Sequence, residues 1–312
     1  MKKILVLFIF WQMTFAQKTS VTTVLNFSGK IDKYPIELTV NVSQVKDSVY
    51  GSYYYTKNGK DMSISLKGIL KNEEIKLIET SYVSTKKGNV AKNTGSFSLQ
   101  LKSNYELNGI WQNEKRDKQF DVTLHCLENL AEFNPKNYTY KFNIYKGKVE
   151  NFNNQLSDYY MIDRLDIYNS KKEKIQTLSG FKNALSDNIG QVELEDINFD
   201  GLLDIKIYIY FPDRIRDDGS FLYYIYDKTK KEFVRNTKLE KLEYLFFDAK
   251  NKEFVRYEAD GSGNEHDMYY KWSNNNFYLI REVKAFEDSS KTLYTEYQIK
   301  NNKSVKVKEY EK

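Results

Sequence analysis

Between residues 21 and 126 the chain alternates apolar and polar residues with little interruption. A period of two fits a β-strand with one buried face and does not fit a helix. Pro35 to Val42 (P-I-E-L-T-V-N-V) is the plainest case. The same pattern marks Val21 to Phe27, Val49 to Tyr55, Met62 to Leu70, Ile75 to Glu79, Thr94 to Lys102, Tyr105 to Trp111 and Gln119 to Cys126. Turn signals separate the segments, at Asn58-Gly59, Lys71-Asn72-Glu73 and Lys87-Gly88-Asn89. Eight short antiparallel strands predict a small barrel or a strongly curved meander, and closure would leave no open strand edge. The interior is then either filled by side chains or holds one small ligand. Tyr53, Tyr54 and Tyr55 cannot all point inward, and Trp111 is assigned to packing rather than to a ligand platform.

The rest of the chain keeps this character. Only 3 prolines occur, whereas tyrosine numbers 26 and aromatics make up 15% of residues, a composition that favours strands throughout. Glu128 to Lys136 (E-N-L-A-E-F-N-P-K) breaks the alternation and reads as a linker. Beyond it, strands are expected near Tyr138 to Tyr145 and Met161 to Tyr168. Hairpins are expected from Phe221 to Arg235, Tyr244 to Tyr257 and Tyr269 to Val283. The expected fold is therefore all-β, an N-terminal eight-stranded antiparallel barrel or meander followed by a second antiparallel β domain. Its predicted segments are 1–16 (signal peptide), 17–127 (barrel), 128–136 (linker), 137–290 (second domain) and 291–312 (a charged tail with an edge strand).

The clearest chemistry lies in D-I-N-F-D-G-L-L-D, residues 196–204. Asp196, Asn198, Asp200 and Asp204 stand at positions 1, 3, 5 and 9 of an EF-type loop, with the Leu202 carbonyl at position 7 and Gly201 at the turn. Hard oxygen donors at this spacing suit Ca2+. Position 12 is Ile207, where an EF-hand has a glutamate, and the flanks read as strands rather than helices. The loop resembles those of dockerins and FG-GAP-type repeats. A missing ligand would come from Glu193, Glu195 or a residue distant in sequence. The competing reading is a plain Asp-Gly hairpin turn, which leaves the other oxygen side chains unexplained.

The N-terminus carries Lys2 and Lys3, an apolar run from Ile4 to Trp11 too short to span a bilayer, and small residues at Thr14 and Ala16. Cleavage after Ala16 is expected, giving an exported protein, periplasmic or extracellular, with no membrane span. Its compartment would keep even a modest calcium site filled. The one cysteine, Cys126, excludes an intrachain disulfide and is expected to pack as a small apolar residue. The formal charge of +5 drops by two with the leader, to +3. Lysine pairs such as Lys171-Lys172 and Lys230-Lys231 sit in turns, so nucleic acid is not implied.

Catalytic constellations are not apparent in the sequence. His125 and Cys126 are neighbours on a strand and face opposite sides, so they cannot pair. His266 lies in Ala259 to Asp267 (A-D-G-S-G-N-E-H-D), where Asp260, Glu265 and Asp267 are further possible ligands. This loop reads more simply as an exposed hairpin connection. No nucleophile elbow, phosphate loop or zinc-protease pair appears. A two-carboxylate hydrolase is the reading that sequence leaves open.

Three pieces occur in order: the 196–204 loop with its apolar strand, Y-Y-I-Y-D-K-T-K-K-E-F-V-R-N at 223–236, and Y-Y-K-W-S at 269–273. Over roughly residues 140 to 285 this is similar to a family of exported bacterial β-proteins that includes lysozyme-inhibitor-like immunity proteins. The resemblance implies calcium at Asp196, Asn198, Asp200, Leu202 and Asp204, and a protein partner, a peptidoglycan-cleaving lysozyme-like enzyme. Candidate contact loops are Ala259 to Asp267 and Asp213 to Ser220. A glycan-binding envelope module is the alternative and would present exposed coplanar aromatics on one face.

Overall fold

The structure is a computed structural model. It describes residues 19–312 except 45, 86–87, 103–104, 151–152, 182–184, 187–189, 211–218 and 244. The expected leader and most of the Asp213–Ser220 loop lie outside the described residues.

Eight strands form a closed antiparallel barrel: β1 (Ser20–Ile31), β2 (Tyr34–Ser43), β3 (Ser48–Tyr55), β4 (Ile64–Lys71), β5 (Glu74–Thr85), β6 (Gly88–Leu101), β7 (Glu106–Asn113) and β8 (Gln119–Cys126). Each pairs with its sequence neighbour, and β1 returns to β8 from Phe27↔Cys126 to Ile31↔Val122. At this seam Gly29 lies so near β8 that a Cβ would sit 2.1 Å from the Thr123 carbonyl oxygen, so only glycine fits. Alternate side chains fill the interior, among them Phe27, Leu38, Leu77, Phe97, Leu107 and Leu124. The β5–β6 hairpin is longer than alternation suggests. Beyond a register shift between Glu79 and Thr80, residues 81–85 and 88–92 pair with each other outside the reach of β4 and β7, so no buried face imposes a pattern there.

The barrel interior is asymmetric along its axis. At one end Tyr53 is buried, and its hydroxyl donates to Glu79 at 2.7 Å. Trp111 Nε1 donates to the same carboxylate at 2.8 Å and Thr94 Oγ1 at 2.6 Å. Trp111 also stacks on Phe120, 5.7 Å between centroids, so it packs as expected. Tyr53 carries the inward role, and Tyr54 and Tyr55 are half-buried.

The first strand belongs to two structures. Before it joins β8, its first four residues pair in parallel with a later strand, from Ser20↔Gln191 to Thr23↔Leu194. Around that pairing lie β9 (Thr139–Glu150), β10 (Leu156–Tyr168), β11 (Lys174–Leu178), β12 (Leu185–Ser186), β13 (Gln191–Glu195), β14 (Asp204–Tyr210), β15 (Gly219–Asp227) and β16 (Glu232–Arg235). Their core includes Phe142, Leu165, Leu194, Ile205 and Ile207. Residues 128–136 carry no strand and run into a 3-10 turn, Pro135–Asn137, which the Asn134 side chain caps.

One short helix, α1 (Thr237–Glu240), leads to an antiparallel meander of β17 (Leu245–Asp248), β18 (Glu253–Ala259), β19 (Glu265–Ser273), β20 (Asn276–Ala285), β21 (Leu293–Lys300) and β22 (Lys303–Glu311). Residues 291–312, expected as a charged tail with an edge strand, are mostly the meander's last hairpin. Lysine-rich β22 is its exposed edge, a charge pattern that discourages pairing with other chains. No helix among the described residues is long and apolar enough to cross a membrane.

Candidate metal centre

The 196–204 loop connects β13 to β14, whose pairing closes at Glu195↔Asp204. Its alternate residues part company. Ile197 and Phe199 pack into the core that includes Tyr223, Leu239, Leu245 and Phe254. The polar residues turn the other way, and the chain wraps around them through left-handed backbone at Phe199 (φ 59°) and Gly201 (φ 90°). Asp196 accepts from the Asp200 amide (3.1 Å) and the Gly201 amide (2.8 Å). Asn198 Oδ1 accepts from the Asp200 amide, and Asp200 accepts from the Leu202 amide at 2.9 Å. Asp204 is fully buried and accepts from the Ile197 amide (2.9 Å) and the Tyr226 amide on β15 (2.8 Å).

The loop is a junction for the whole chain. The Asn129 amide donates to the Gly201 carbonyl at 2.6 Å, tying down the segment that follows the barrel. From the meander, Trp272 Nε1 donates to the Ile197 carbonyl at 3.0 Å, and Lys252 reaches the Phe199 carbonyl at 3.4 Å.

Electrostatically the site is short of positive charge. Asp196 is buried, and among the described residues no Lys, Arg or His forms an ion pair with Asp196, Asp200 or Asp204. Burial, helped by the nearby Asp200 and Glu128 charges, pushes the Asp196 carboxyl up to about 7 against the pull of the Gly201 and Asp200 amides. Burial raises Asp204 well above the ordinary range, opposed by the Tyr226 and Ile197 amides. Nearby cations are already engaged: Lys250 pairs with Glu37 at 2.5 Å. A buried carboxylate in this position takes up either a proton or a cation.

A hard cation fits the chemistry of this donor set. Asp196, Asn198, Asp200, the Leu202 carbonyl and Asp204 supply only oxygens, and each engaged carboxylate oxygen keeps a second lone pair. No three of the described Asp, Glu, His or Cys side chains already converge as metal ligands do, so this set has to draw in around an ion. A cleft of about 370 Å³, lined by Glu128, Asp196, Asp200, Gly201, Lys250 and Lys252, gives an ion access.

The suggested supplementary ligands lie elsewhere. Glu193 and Glu195 both pair with buried Lys206, Glu195 at 2.5 Å, and the ammonium lies over the Phe221 and Phe247 rings. Ile207 is wholly buried in the core. The acid that does approach the loop is Glu128, at the start of the expected linker. Its carboxylate accepts from the Asn26 amide (3.0 Å) and side chain (2.9 Å) and from Cys126 Sγ (3.2 Å). Burial raises both Glu128 and the Cys126 thiol, so Cys126 is a hydrogen-bonded thiol rather than a plain apolar filler. A lone acid 68 positions ahead of the loop carries no local signal of this proximity.

His125 points to Glu106, 3.0 Å away, on the face opposite Cys126. His266 sits 2.9 Å from Glu282 in the β19–β20 ladder. Ala259–Asp267 is the β18–β19 connection, organised by Asp260, which accepts from the Ser262 and Asn264 amides. Tyr294 and Tyr310 stack on each other at 5.3 Å, flanked by Lys308 and Lys312, so they offer no flat platform for a sugar.

No family model matches the chain, and no curated protein matches it. Among solved structures it is similar to a Xanthomonas type IV secretion system related protein, at 14% identity over 67% of this chain and 96% of that one, with a TM-score of 0.33. A protein from Lactobacillus plantarum aligns at 6% identity over 92% and 96% of the two chains, with a TM-score of 0.23. Neither similarity is close enough to bear on fold or function.

Proposed function

We propose that this is an exported β-protein braced by one calcium ion, which acts by binding another protein rather than by catalysis. The partner proposed is a peptidoglycan-cleaving, lysozyme-like enzyme. The observation that carries the calcium reading is the pair of buried carboxylates, Asp196 and Asp204, which have no cationic partner among the described residues and lie at a junction of the fold. Asp196, Asn198, Asp200, the Leu202 carbonyl and Asp204 would hold the ion. Bound there, it would neutralise the loop and fix the geometry of the segments hydrogen-bonded to it. The order of motifs along residues 140–285 supports the choice of partner, and the exposed Ala259–Asp267 connection is the contact loop proposed.

Asp200 provides the cleanest test of the ion, because it is exposed and its replacement costs the metal-free fold little. Asp200→Ala is expected to abolish most of the rise in melting temperature on adding calcium while melting like wild type in chelator. Equal calcium shifts in the two proteins would refute the site. The partner is tested by adding the purified protein, with calcium, to lysozyme-like hydrolases acting on peptidoglycan. Stoichiometric inhibition is expected, weakened by substitutions in Ala259–Asp267; unaltered hydrolysis across these enzymes would remove the inhibitory role.

A further inference from the structure

The barrel is closed at one end by side chains and hollow at the other. Around Glu79 the interior is filled by Tyr53, Trp111 and Thr94. At the opposite end, where β1 leaves the wall to pair with β13, a cavity of about 850 Å³ opens between the strand ends and the 130–136 segment. Its wall is largely apolar, with Leu25 and Phe27 from the middle of β1 and Val42, Leu70, Ile75 and Leu101 from the ends of β2, β4, β5 and β6. Pockets that hold small molecules span about 300–1,000 Å³, combine apolar walls with a few polar groups, and occur in the mouths of β-barrels.

Two further features point to a ligand. Thr23 lines this cavity and is only 3% exposed, yet its hydroxyl has no hydrogen-bond partner among the described residues. Buried hydroxyls are almost always partnered, and this one would gain a partner from a polar atom entering the cavity beside it. The exposed Lys71, Lys102 and Lys136 also line the cavity, and among the described residues none of them is in an ion pair. Asp47 and Glu73 share the lining, so the balance there is three cations against two anions.

We propose that the barrel is a cup for a small amphiphile, an acyl-like chain with one anionic headgroup. The chain lies against Leu25, Phe27 and Ile75, and the head lies among the three lysines within reach of the Thr23 hydroxyl. This reading is independent of the calcium loop.

The test is displacement of a fluorescent polyene fatty acid from the full chain, by palmitate and by hexadecanol, which carries the same tail without the charge. Saturable binding is expected, with palmitate the better competitor by on the order of tenfold. Thr23→Val is expected to weaken palmitate several-fold while leaving melting unchanged or slightly raised, since it removes an unsatisfied group. Leu25→Trp should fill the cavity and abolish binding. A protein with native circular dichroism that shows no saturable binding would overturn the proposal. So would equal affinity for acid and alcohol, or undiminished binding by both variants.

Discussion

Lys206→Ala is expected to cost about 3–5 kcal/mol, the loss typical of removing one partner from a buried ion pair. Lys206 is 5% exposed, its ammonium pairs with Glu195 and Glu193, and it lies over the Phe221 and Phe247 rings. Burial by itself would lower the Lys206 pKa, but the Glu195 and Glu193 charges outweigh it and hold the ammonium above its ordinary value. Its removal strands Glu195 in the interior, where burial favours the neutral acid. The folded variant then binds a proton that the unfolded chain releases, so its stability falls as pH rises above the ordinary glutamate range. Urea unfolding at neutral and at acid pH checks this, with the deficit expected to shrink on acidification. A loss below about 1 kcal/mol at neutral pH, the worth of a surface pair, would contradict the assignment.

Glu79→Leu is expected to be nearly as damaging, by about 3–5 kcal/mol, because it orphans donors that lie inside the barrel. Tyr53 is 1% exposed and its hydroxyl has Glu79 as its acceptor; Trp111 Nε1 depends on the same carboxylate. Glu79→Gln, which keeps one acceptor oxygen, should cost about half as much or less. Chemical denaturation separates the two variants. Equal stability of Glu79→Leu and wild type would mean that the plug does not hold this end of the barrel.

The barrel was legible because one buried face per strand forces a period of two, and because polar turns mark each reversal. The same rule separated Tyr53 from its neighbours and sent His125 and Cys126 to opposite faces. The parallel pairing of Ser20–Thr23 with Gln191–Leu194 was not legible, since non-local pairing leaves no trace in local periodicity. The loop spacing identified a set of oxygen side chains, but not their surroundings. Glu193 and Glu195, chosen for nearness in sequence, point to Lys206, which faces Glu193 across the β13–β14 ladder. That link had a signal: a lysine inside I-K-I-Y-I needs a counter-charge, and alternate acids on the preceding strand supply it. Glu128 had none, because its place beside the loop depends on how the segment after β8 crosses the fold.

The proposed calcium brace is tested most directly by thermal unfolding of the full chain in millimolar calcium and in chelator, at about pH 5 and about pH 7.5, on either side of the folded Asp196 titration. Without metal, the folded Asp196 carboxyl titrates near 7 against an ordinary 3.8. The folded state therefore keeps a proton that the unfolded chain has lost, and stability falls as pH rises through that window. Asp204 acts in the same direction. On the proposed reading calcium would take the place of the proton, so its stabilisation is expected to grow with pH. At a hundredfold excess over the dissociation constant it should reach about 2.7 kcal/mol. A melting temperature several degrees higher in calcium at the higher pH, with the gap narrowing at the lower one, is the predicted result. Identical melting in calcium and chelator at the higher pH would contradict the account.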